Sequence, residues 1–284
     1  MISYGYAFTK HAVFLSLTFA ALGAASRLAP YRIESNSLST WVICFVVIDF
    51  LYYWDHRLGH EINWIWSFHS IHHSSEEFNL AVASRLPWFE EVYRWIFLVP
   101  AALLGFPVPM ILASKVLNRT YQFFVHTRYI GNLGPLEWVL ATPSQHRVHH
   151  GRNPEYLDKN YGGFLCLWDR LFGTFEEELA KVEYGLVEQI GTLNPFKVQI
   201  AGLAKLGHQL AGIAGWRGKV RLLFAHPSAA QSQVNWRSAM NSRYPNVPKS
   251  GSLIHSEIDH FVAPRDNRFG PCYSARLDRF GRHD

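Results

Sequence analysis

Apolar residues concentrate in three segments of the chain, residues 12–25, 41–54 and 95–114. The third segment has twenty consecutive uncharged residues, close to the roughly 20 that a helix needs to cross the hydrocarbon of a bilayer. A soluble enzyme rarely has three such segments. Their number and length therefore predict a protein embedded in a membrane, although the mean hydropathy of the whole chain is only −0.03.

Each apolar segment carries a feature that bears on how it enters the membrane. The third is broken in its middle by Pro100, Gly105, Pro107 and Pro109. Two half-helices that meet at a bend, a re-entrant hairpin, are therefore favoured over one straight span. The first segment ends in small residues and is also compatible with a signal peptide. The second, interrupted only by Asp49, is also compatible with a buried helix of a soluble core.

Composition and charge narrow the class of protein. Charged residues are 17% and aromatic residues 15% of the chain, which excludes a disordered protein. The three cysteines, Cys44, Cys166 and Cys272, are too far apart for a disulfide framework or a cysteine-based zinc site. The net charge is −1 for residues 1–215 and +6 for residues 216–284. Because no basic cluster alternates with aromatic residues there, we expect no nucleic-acid partner, and the basic end indicates either attraction to an anionic membrane or a solvated tail.

Histidine is the unusual residue type, with fifteen copies. Eight of them fall into three short boxes, HRLGH, HSIHH and HRVHH, whose histidines are His56, His60, His69, His72, His73, His146, His149 and His150. On a helix, positions i, i+3 and i+4 lie on one face. Each box therefore projects two or three imidazoles in one direction.

The boxes indicate a metal centre. Neutral imidazole binds iron, zinc and copper, and eight ligands exceed what one metal ion with an open position accepts, so we expect two metal ions. A ninth candidate, His126, follows the third apolar segment, although a lone histidine there is also typical of a buried structural residue. The remaining histidines show no ligand spacing (His11, His208, His226, His255, His260 and His283).

The donor set indicates which metal binds. The boxes contain no cysteine, and carboxylates are sparse in them. Structural zinc prefers a closed site with four ligands, fewer than the boxes supply. Iron at an all-nitrogen site with open positions can bind O₂ and oxidise an unactivated C–H bond. In a membrane, the predicted substrate is the acyl, alkyl or sterol chain of a lipid.

The order of the boxes between apolar segments resembles the fatty acid hydroxylase and sterol desaturase superfamily of integral-membrane di-iron oxidases. Two long stretches closely resemble its alkylglycerol monooxygenase branch, DFLYYWDHRLGHEINWIWSFHSIHHSSEEFNLAVASR and NLGPLEWVLATPSQHRVHHGRNPEYLDKNYGGFLCLWDRLFGTFEEE. The resemblance runs from residue 40 to residue 225. It implies that the eight box histidines are the catalytic iron ligands and that His126 is a further ligand.

The resemblance also implies residues that support the ligands. Glu61 matches an acidic residue of this branch, and would either accept the free N–H of a ligating imidazole or be an exposed helix charge. Asn153, Asp158 and Asn160 follow the third box, and would either orient neighbouring ligands or shape a tight loop.

The reaction implied by the resemblance is cleavage of an ether lipid with tetrahydrobiopterin as reductant. Hydroxylation next to the ether oxygen would give a hemiacetal that collapses to an aldehyde and a glycerol derivative. Electrons must come from an external donor because the chain has no Rossmann-type or P-loop motif. One alternative is an acyl-chain or sterol hydroxylase or desaturase, and another is a non-catalytic zinc-binding membrane protein.

These expectations combine into an all-α architecture, an integral-membrane helical bundle with a re-entrant hairpin and a histidine-rich di-iron cap on the cytoplasmic side. We expect an anchor and linker at 1–37, the di-iron domain at 38–225 and a basic tail at 226–284. The protein would be multi-pass in the endoplasmic reticulum membrane of a eukaryote or the inner (plasma) membrane of a bacterium. Its partners would be a lipid, O₂ and an external electron donor.

Overall fold

The computed structural model describes residues 2–232, with side chains from residue 13 onward. This part of the chain is helical, as predicted, and contains two isolated antiparallel bridges, Leu140–Leu165 and Gly151–Tyr184, but no named strand. The α-helices in chain order are α1 (Ile2–Arg27), α2 (Leu38–Glu61), α3 (Asn63–His73), α4 (Leu80–Ala83), α5 (Glu91–Arg94), α6 (Val99–Leu103), α7 (Val108–Val125), α8 (Pro143–His149), α9 (Leu167–Phe172), α10 (Pro195–Ala211) and α11 (Trp216–Phe224). Most of the predicted tail, 226–284, lies outside the described residues.

Helix α2 carries the second apolar segment. Ser37 precedes the helix, and its side-chain hydroxyl accepts a hydrogen bond from the backbone N–H of Thr40 at 3.2 Å and so caps it. Among the described helices, α2 is the one that is long and apolar enough to cross a bilayer. Only 28% of its apolar window is buried inside the protein, and this exposed apolar surface supports membrane association.

The third apolar segment is broken where its proline and glycine residues predict a break. It forms a 3₁₀ turn (Trp95–Leu98), α6 and the start of α7, with a bend at residues 104–107. Gly105 has a φ of 89°, and a Cβ at this position would collide with the carbonyl oxygen of Tyr31, so the bend requires glycine. The backbone N–H of Ile33 donates to the Gly105 carbonyl at 2.9 Å, which fastens the linker after α1 to the bend.

Helices α1, α2, α6 and α7 pack around one apolar core. Its buried members are Leu22, Ala25, Cys44, Ile48, Leu98, Ala101, Ala102, Phe106, Met110 and Ile111. The residues that α2 contributes lie in its first half. The core therefore holds α2 at one end and leaves its last turns to present His56 and His60.

Helix α3 is fixed by α10 and α11. The backbone N–H of Asn63 donates to the carbonyl of Ala225 at 2.9 Å, and its side-chain amide donates to Gln209 at 3.0 Å. A Cβ at Gly202 of α10 would overlap the carbonyl oxygen of Ser67, so the two backbones meet there without a side chain between them. Three histidines of the second box thus sit on a helix whose orientation is set from outside the box.

Candidate metal centre

The nine histidines predicted as ligands form two buried clusters. We define the first cluster as His56, His60, His69, His73 and His149, and the second cluster as His72, His126, His146 and His150. In each cluster, the candidate ligand nitrogens all lie within 4.8 Å of one another. The sequence predicted the nine residues as a set, and the structure divides them into five and four.

Helical periodicity explains how α2 and α3 supply the first cluster. His56 and His60 are one turn apart on α2, and His69 and His73 are one turn apart on α3. Residues four positions apart project from the same face, so each pair points in one direction. His72 is rotated by about 100° from His73 around the helix axis and faces the second cluster instead.

The third box distributes its histidines in the opposite way. His146 and His150, four positions apart at α8 and its C-cap, belong to the second cluster, whereas His149 belongs to the first. Each of the two HxxHH boxes therefore contributes histidines to both clusters.

The two clusters are immediate neighbours. The rings of His73 and His150, one from each cluster, are stacked with their centroids 4.3 Å apart and an interplanar angle of 20°. The rings of His73 and His72, also from different clusters, are 5.3 Å apart. Metal ions in the two clusters would consequently lie side by side.

His126 completes the second cluster from the C-terminal end of α7. Its Nδ1–H donates to the carbonyl of Gln122 at 2.6 Å, which turns Nε2 toward the cluster. That Nε2 atom lies 2.9 Å from Nε2 of His146 and 3.3 Å from Nε2 of His72. Phe78 stacks on the His126 ring at 5.6 Å and forms an aromatic wall beside it.

Four buried ring nitrogens that belong to the clusters have no hydrogen-bond partner in the described part of the chain: Nε2 of His56, His60, His149 and His150. A buried polar atom left without a partner costs about 1–3 kcal/mol, so an arrangement with several of them calls for a ligand. Nitrogens bound to one ion at about 2.1 Å lie within about 4.2 Å of each other. The observed spacing therefore fits one metal ion in each cluster after small side-chain movements.

The clusters hold neutral imidazoles. Burial away from water lowers the pKa of His149 to about 4, and burial lowers the pKa of His126 to about 4. The same desolvation lowers the pKa of His73 well below its usual value. At neutral pH the rings thus keep the lone pairs that metal ligation requires.

The loop after the third box orients two cluster rings through its backbone. Nδ1–H of His56 donates to the carbonyl of Tyr161 at 2.9 Å, and Nδ1–H of His149 donates to the carbonyl of Lys159 at 2.9 Å. These bonds place the hydrogen on Nδ1 and leave Nε2 free for a metal. Side-chain patterns in the sequence give no signal for such carbonyl acceptors.

Asn160 gives this loop its shape. Asp158 and Asn160 have φ angles of 59° and 56°, in the left-handed region where asparagine and aspartate are enriched among non-glycine residues. The Asn160 amide donates to the carbonyls of Gln145 and Glu176 at 3.1 and 2.8 Å, and its side-chain oxygen accepts the N–H of Glu176 at 2.9 Å. These three bonds hold the strained backbone that aims the Lys159 and Tyr161 carbonyls at the rings.

The Asp158 carboxylate lies between two histidines. It is 3.9 Å from Nδ1 of His60 and 3.2 Å from Nε2 of His226. The hydrogen bond to Asp158 raises the pKa of His226. His226 shows no ligand spacing in the sequence and was not predicted as a site residue, so a residue adjoining the site was missed.

Two other predicted supporting residues have their contacts away from the imidazoles. The Glu61 carboxylate pairs with Arg57 on its own helix at 2.9 Å. Asn153 donates to the carbonyl of Lys181 at 3.1 Å and accepts the N–H of Glu183 at 2.8 Å, which ties the loop to the segment before α10. Both residues therefore shape the surroundings of the clusters.

Two buried carboxylates outside the predicted set support the same loop. Asp169 accepts the backbone N–H groups of residues 161 and 162, both at 2.7 Å. Asp49 accepts those of residues 164 and 165 at 2.8 and 3.1 Å, and also the indole N–H of Trp168 at 2.8 Å. The charge that interrupts the second apolar segment is thus an anchor for the loop over the histidines.

Comparison with known proteins connects this site to a family. Residues 41–174 match the model for fatty acid hydroxylase. The chain is 45% identical over 188 residues to alkylglycerol monooxygenase of Xenopus tropicalis and 47% identical over 198 residues to that of Homo sapiens. These matches cover 66% and 69% of the chain, and 42% and 44% of the relatives. The chain is also 32% identical over 171 residues to ornithine lipid hydroxylase OlsE of Rhizobium tropici, covering 55% of the chain and 52% of that protein.

The chain spans about half the length of the curated relatives that it matches. No solved structure is significantly similar to it. The matched region contains all nine histidines of the two clusters. Residues 41–174, and with them both histidine clusters, are therefore similar to the fatty acid hydroxylase family.

Proposed function

We propose that this protein is an O₂-dependent lipid monooxygenase with a di-iron centre, and that it cleaves the ether bond of alkylglycerol lipids. The observation that carries the proposal is the pair of adjacent, buried, all-histidine clusters with five and four members. Similarity to alkylglycerol monooxygenases supports the ether lipid as the substrate class.

The residues of this centre would have different roles in binding iron and in excluding water. Bound iron would supply activation of O₂ and oxidation of a substrate C–H bond. The first and second clusters would each hold one ion, with His126 as a ligand of the second. The loop carbonyls of Lys159 and Tyr161 keep Nε2 of His149 and His56 available as donors. Phe78 keeps water from one side of the second cluster.

The proposed reaction is hydroxylation of the carbon next to the ether oxygen. One oxygen atom of O₂ enters the lipid and the other leaves as water, with two electrons and two protons from an external donor. The resulting hemiacetal collapses to a fatty aldehyde and a glycerol derivative. We propose tetrahydrobiopterin as the donor on the basis of the resemblance to the alkylglycerol monooxygenase branch.

Hydroxylation without bond cleavage is the second candidate function. The substrate would then be an acyl chain or a sterol, and desaturation belongs to the same group of outcomes. The 32% identity to a lipid hydroxylase, OlsE, favours keeping this candidate.

We also propose how the chain is organised around a membrane. Residues 1–37 would form an anchor and linker, residues 38–225 the di-iron domain and residues 226–284 a basic tail. Helix α2 would cross the bilayer, and residues 95–114 would form the re-entrant hairpin of a multi-pass protein. The basic end of the chain supports a cytoplasmic position for the clusters, at the endoplasmic reticulum of a eukaryote or the inner (plasma) membrane of a bacterium.

The test is turnover of an alkylglycerol by membranes that contain the protein, with and without tetrahydrobiopterin. Pterin-dependent release of a fatty aldehyde is the expected result. Absence of aldehyde in protein that retains about two irons per chain would reject ether cleavage in favour of acyl-chain or sterol oxidation. Zinc in place of iron, in cells grown with ample iron and with no lipid consumed, would instead establish a non-catalytic zinc protein.

A further inference from the structure

Helices α10 and α11 bury one face against the rest of the protein and leave an apolar row exposed. On α11, Trp216, Val220 and Phe224 are 71%, 44% and 62% exposed, and their spacing of four residues aligns them along one side of the helix. On α10, Phe196 and Ile200 are 68% and 51% exposed with the same spacing. Rows of large apolar side chains on the surface, unlike scattered ones, indicate a contact surface.

Cations flank the apolar row of α11. At 100° per residue, Arg217 and Arg221 project on one side of the row and Lys219 projects on the other. All three are exposed, and none of them forms an ion pair with a carboxylate within the described residues. The sequences of α10 and α11 contain no aspartate or glutamate. This face therefore combines apolar surface with unneutralised positive charge.

An apolar cavity of about 360 Å³ opens beside the same row. It is lined by Trp64, Phe68, Leu203, Leu206, Leu223 and Phe224. Phe224 belongs both to the exposed row and to the cavity wall, so the two are continuous. A hydrocarbon chain can enter such a cavity without losing hydrogen bonds, whereas peptide backbone would lose them. The lining thus favours an apolar occupant, and the cations of α11 beside it favour lipid with anionic headgroups.

We propose that α10 and α11 form a face that lies flat in the surface of a membrane rich in anionic lipids. Trp216, Val220 and Phe224 would enter the boundary between headgroups and acyl chains, and the three flanking cations would contact lipid phosphates. An apolar row flanked by cations is the arrangement of helices that lie in the membrane plane. Because α10 and α11 also hold α3, this contact sets the depth of three cluster histidines relative to the lipid. The proposal does not depend on which lipid reaction the centre catalyses.

The first experiment measures whether the face touches lipid. Full-length protein with Cys272→Ser is reconstituted in nanodiscs of neutral lipid or of lipid with about 30% anionic headgroups, and a fluorophore is attached at Val220→Cys. Spin-labelled lipids are expected to quench this fluorophore, and more strongly in the anionic membrane. Leu179→Cys, on an exposed loop outside the face, is the matched control and is expected to show no dependence on lipid charge. Absence of quenching at position 220 in both membranes overturns the proposal.

The second experiment removes the charges. The variant Arg217→Gln, Lys219→Gln, Arg221→Gln is expected to lose the dependence of quenching on anionic lipid while its iron content stays unchanged. The control variant Arg128→Gln, Arg152→Gln, Lys181→Gln changes three cations elsewhere and is expected to retain that dependence. A charge-free face that still responds fully to anionic lipid contradicts the proposal. Cross-linking of position 220 to a second protein chain, with no quenching by lipid, would identify a protein as the occupant and also contradict it.

Discussion

The two histidine clusters have the same ligand chemistry but different supports. In the first cluster, the carbonyls of one loop, at Lys159 and Tyr161, hold two of the five rings. In the second cluster, His126 comes from outside the boxes and is held by Gln122, one turn back on its own helix. The first cluster therefore depends on a loop folded over it, and the second depends on where α7 ends. A substitution that disrupts one support should mainly lower the metal affinity of the cluster that this support holds.

The largest expected effect comes from removing a ligand of the first cluster. The substitution His149→Ala should lower turnover by at least about 10²-fold and remove metal, because loss of groups that merely support a ligand already costs 10–100-fold. Metal per chain and product formation are measured together. His208→Ala, on an exposed part of α10, should change neither value. Turnover retained by the His149→Ala variant at full iron loading would contradict the assignment of His149 as a ligand.

A smaller and more selective effect is expected at the second cluster. The substitution His126→Ala leaves three histidines there, so the protein should keep about one of the two proposed ions, the one held by the first cluster. Metal analysis combined with Mössbauer spectroscopy of the remaining iron distinguishes the sites. Phe124→Ala, an exposed change two residues away on α7, serves as the control. Equal loss of metal from both clusters would show that α7 supports them jointly. It would contradict the view that the two clusters have separate supports.

The loop that supports the first cluster can be tested at Asn160. Asn160→Ala removes three hydrogen bonds and disfavours the left-handed backbone, so metal affinity of the first cluster should fall about 10–100-fold. Asn160→Gly restores the backbone freedom but not the hydrogen bonds. Its metal affinity should therefore lie between those of the alanine variant and the original protein. Competition with a chelator gives the affinities. The control is Asn153→Ala, in the same loop but without a contact to Lys159 or Tyr161. An equal effect of both alanine variants would argue against the positioning role of Asn160.

The smallest effect is expected at Glu61. Its partner is Arg57, and both side chains are partly exposed, so the pair contributes about 0–1 kcal/mol to the free energy of unfolding. Glu61→Gln should therefore shift the melting temperature by only a few degrees and leave both ions in place. Loss of metal comparable to that of Asn160→Ala would restore the supporting role that the sequence suggested for Glu61.

The helical class and the bend in the third apolar segment could be predicted because they follow from local signals. Helical spacing groups the histidines of each box, and Gly105 with its neighbouring prolines marks the bend. Which box histidine joins which cluster depends on how α3 and α8 face each other, and that is a tertiary contact.

Other parts of the site leave no pattern in the sequence. The acceptors for His56 and His149 are backbone carbonyls, which every residue has. His226 meets Asp158 only because the segment after α11 folds back over the loop. Glu61 sits next to a histidine in sequence, yet on a helix its neighbour in space is Arg57, four residues back. For Glu61, adjacency along the chain therefore did not indicate its nearest partner in space, whereas Asn160, also close to a box in sequence, does hold the loop over the rings.

The crosswise sharing of the HxxHH boxes has a consequence for the order in which metal is taken up. The first ion to bind would fix histidine side chains on both α3 and α8, because each helix supplies part of either cluster. The second ion then meets histidines that are already arranged. Its binding therefore loses less conformational entropy than binding of the first ion. Uptake of the two proposed ions should accordingly be cooperative in the unsubstituted protein, so that singly loaded molecules are scarce at intermediate metal concentrations.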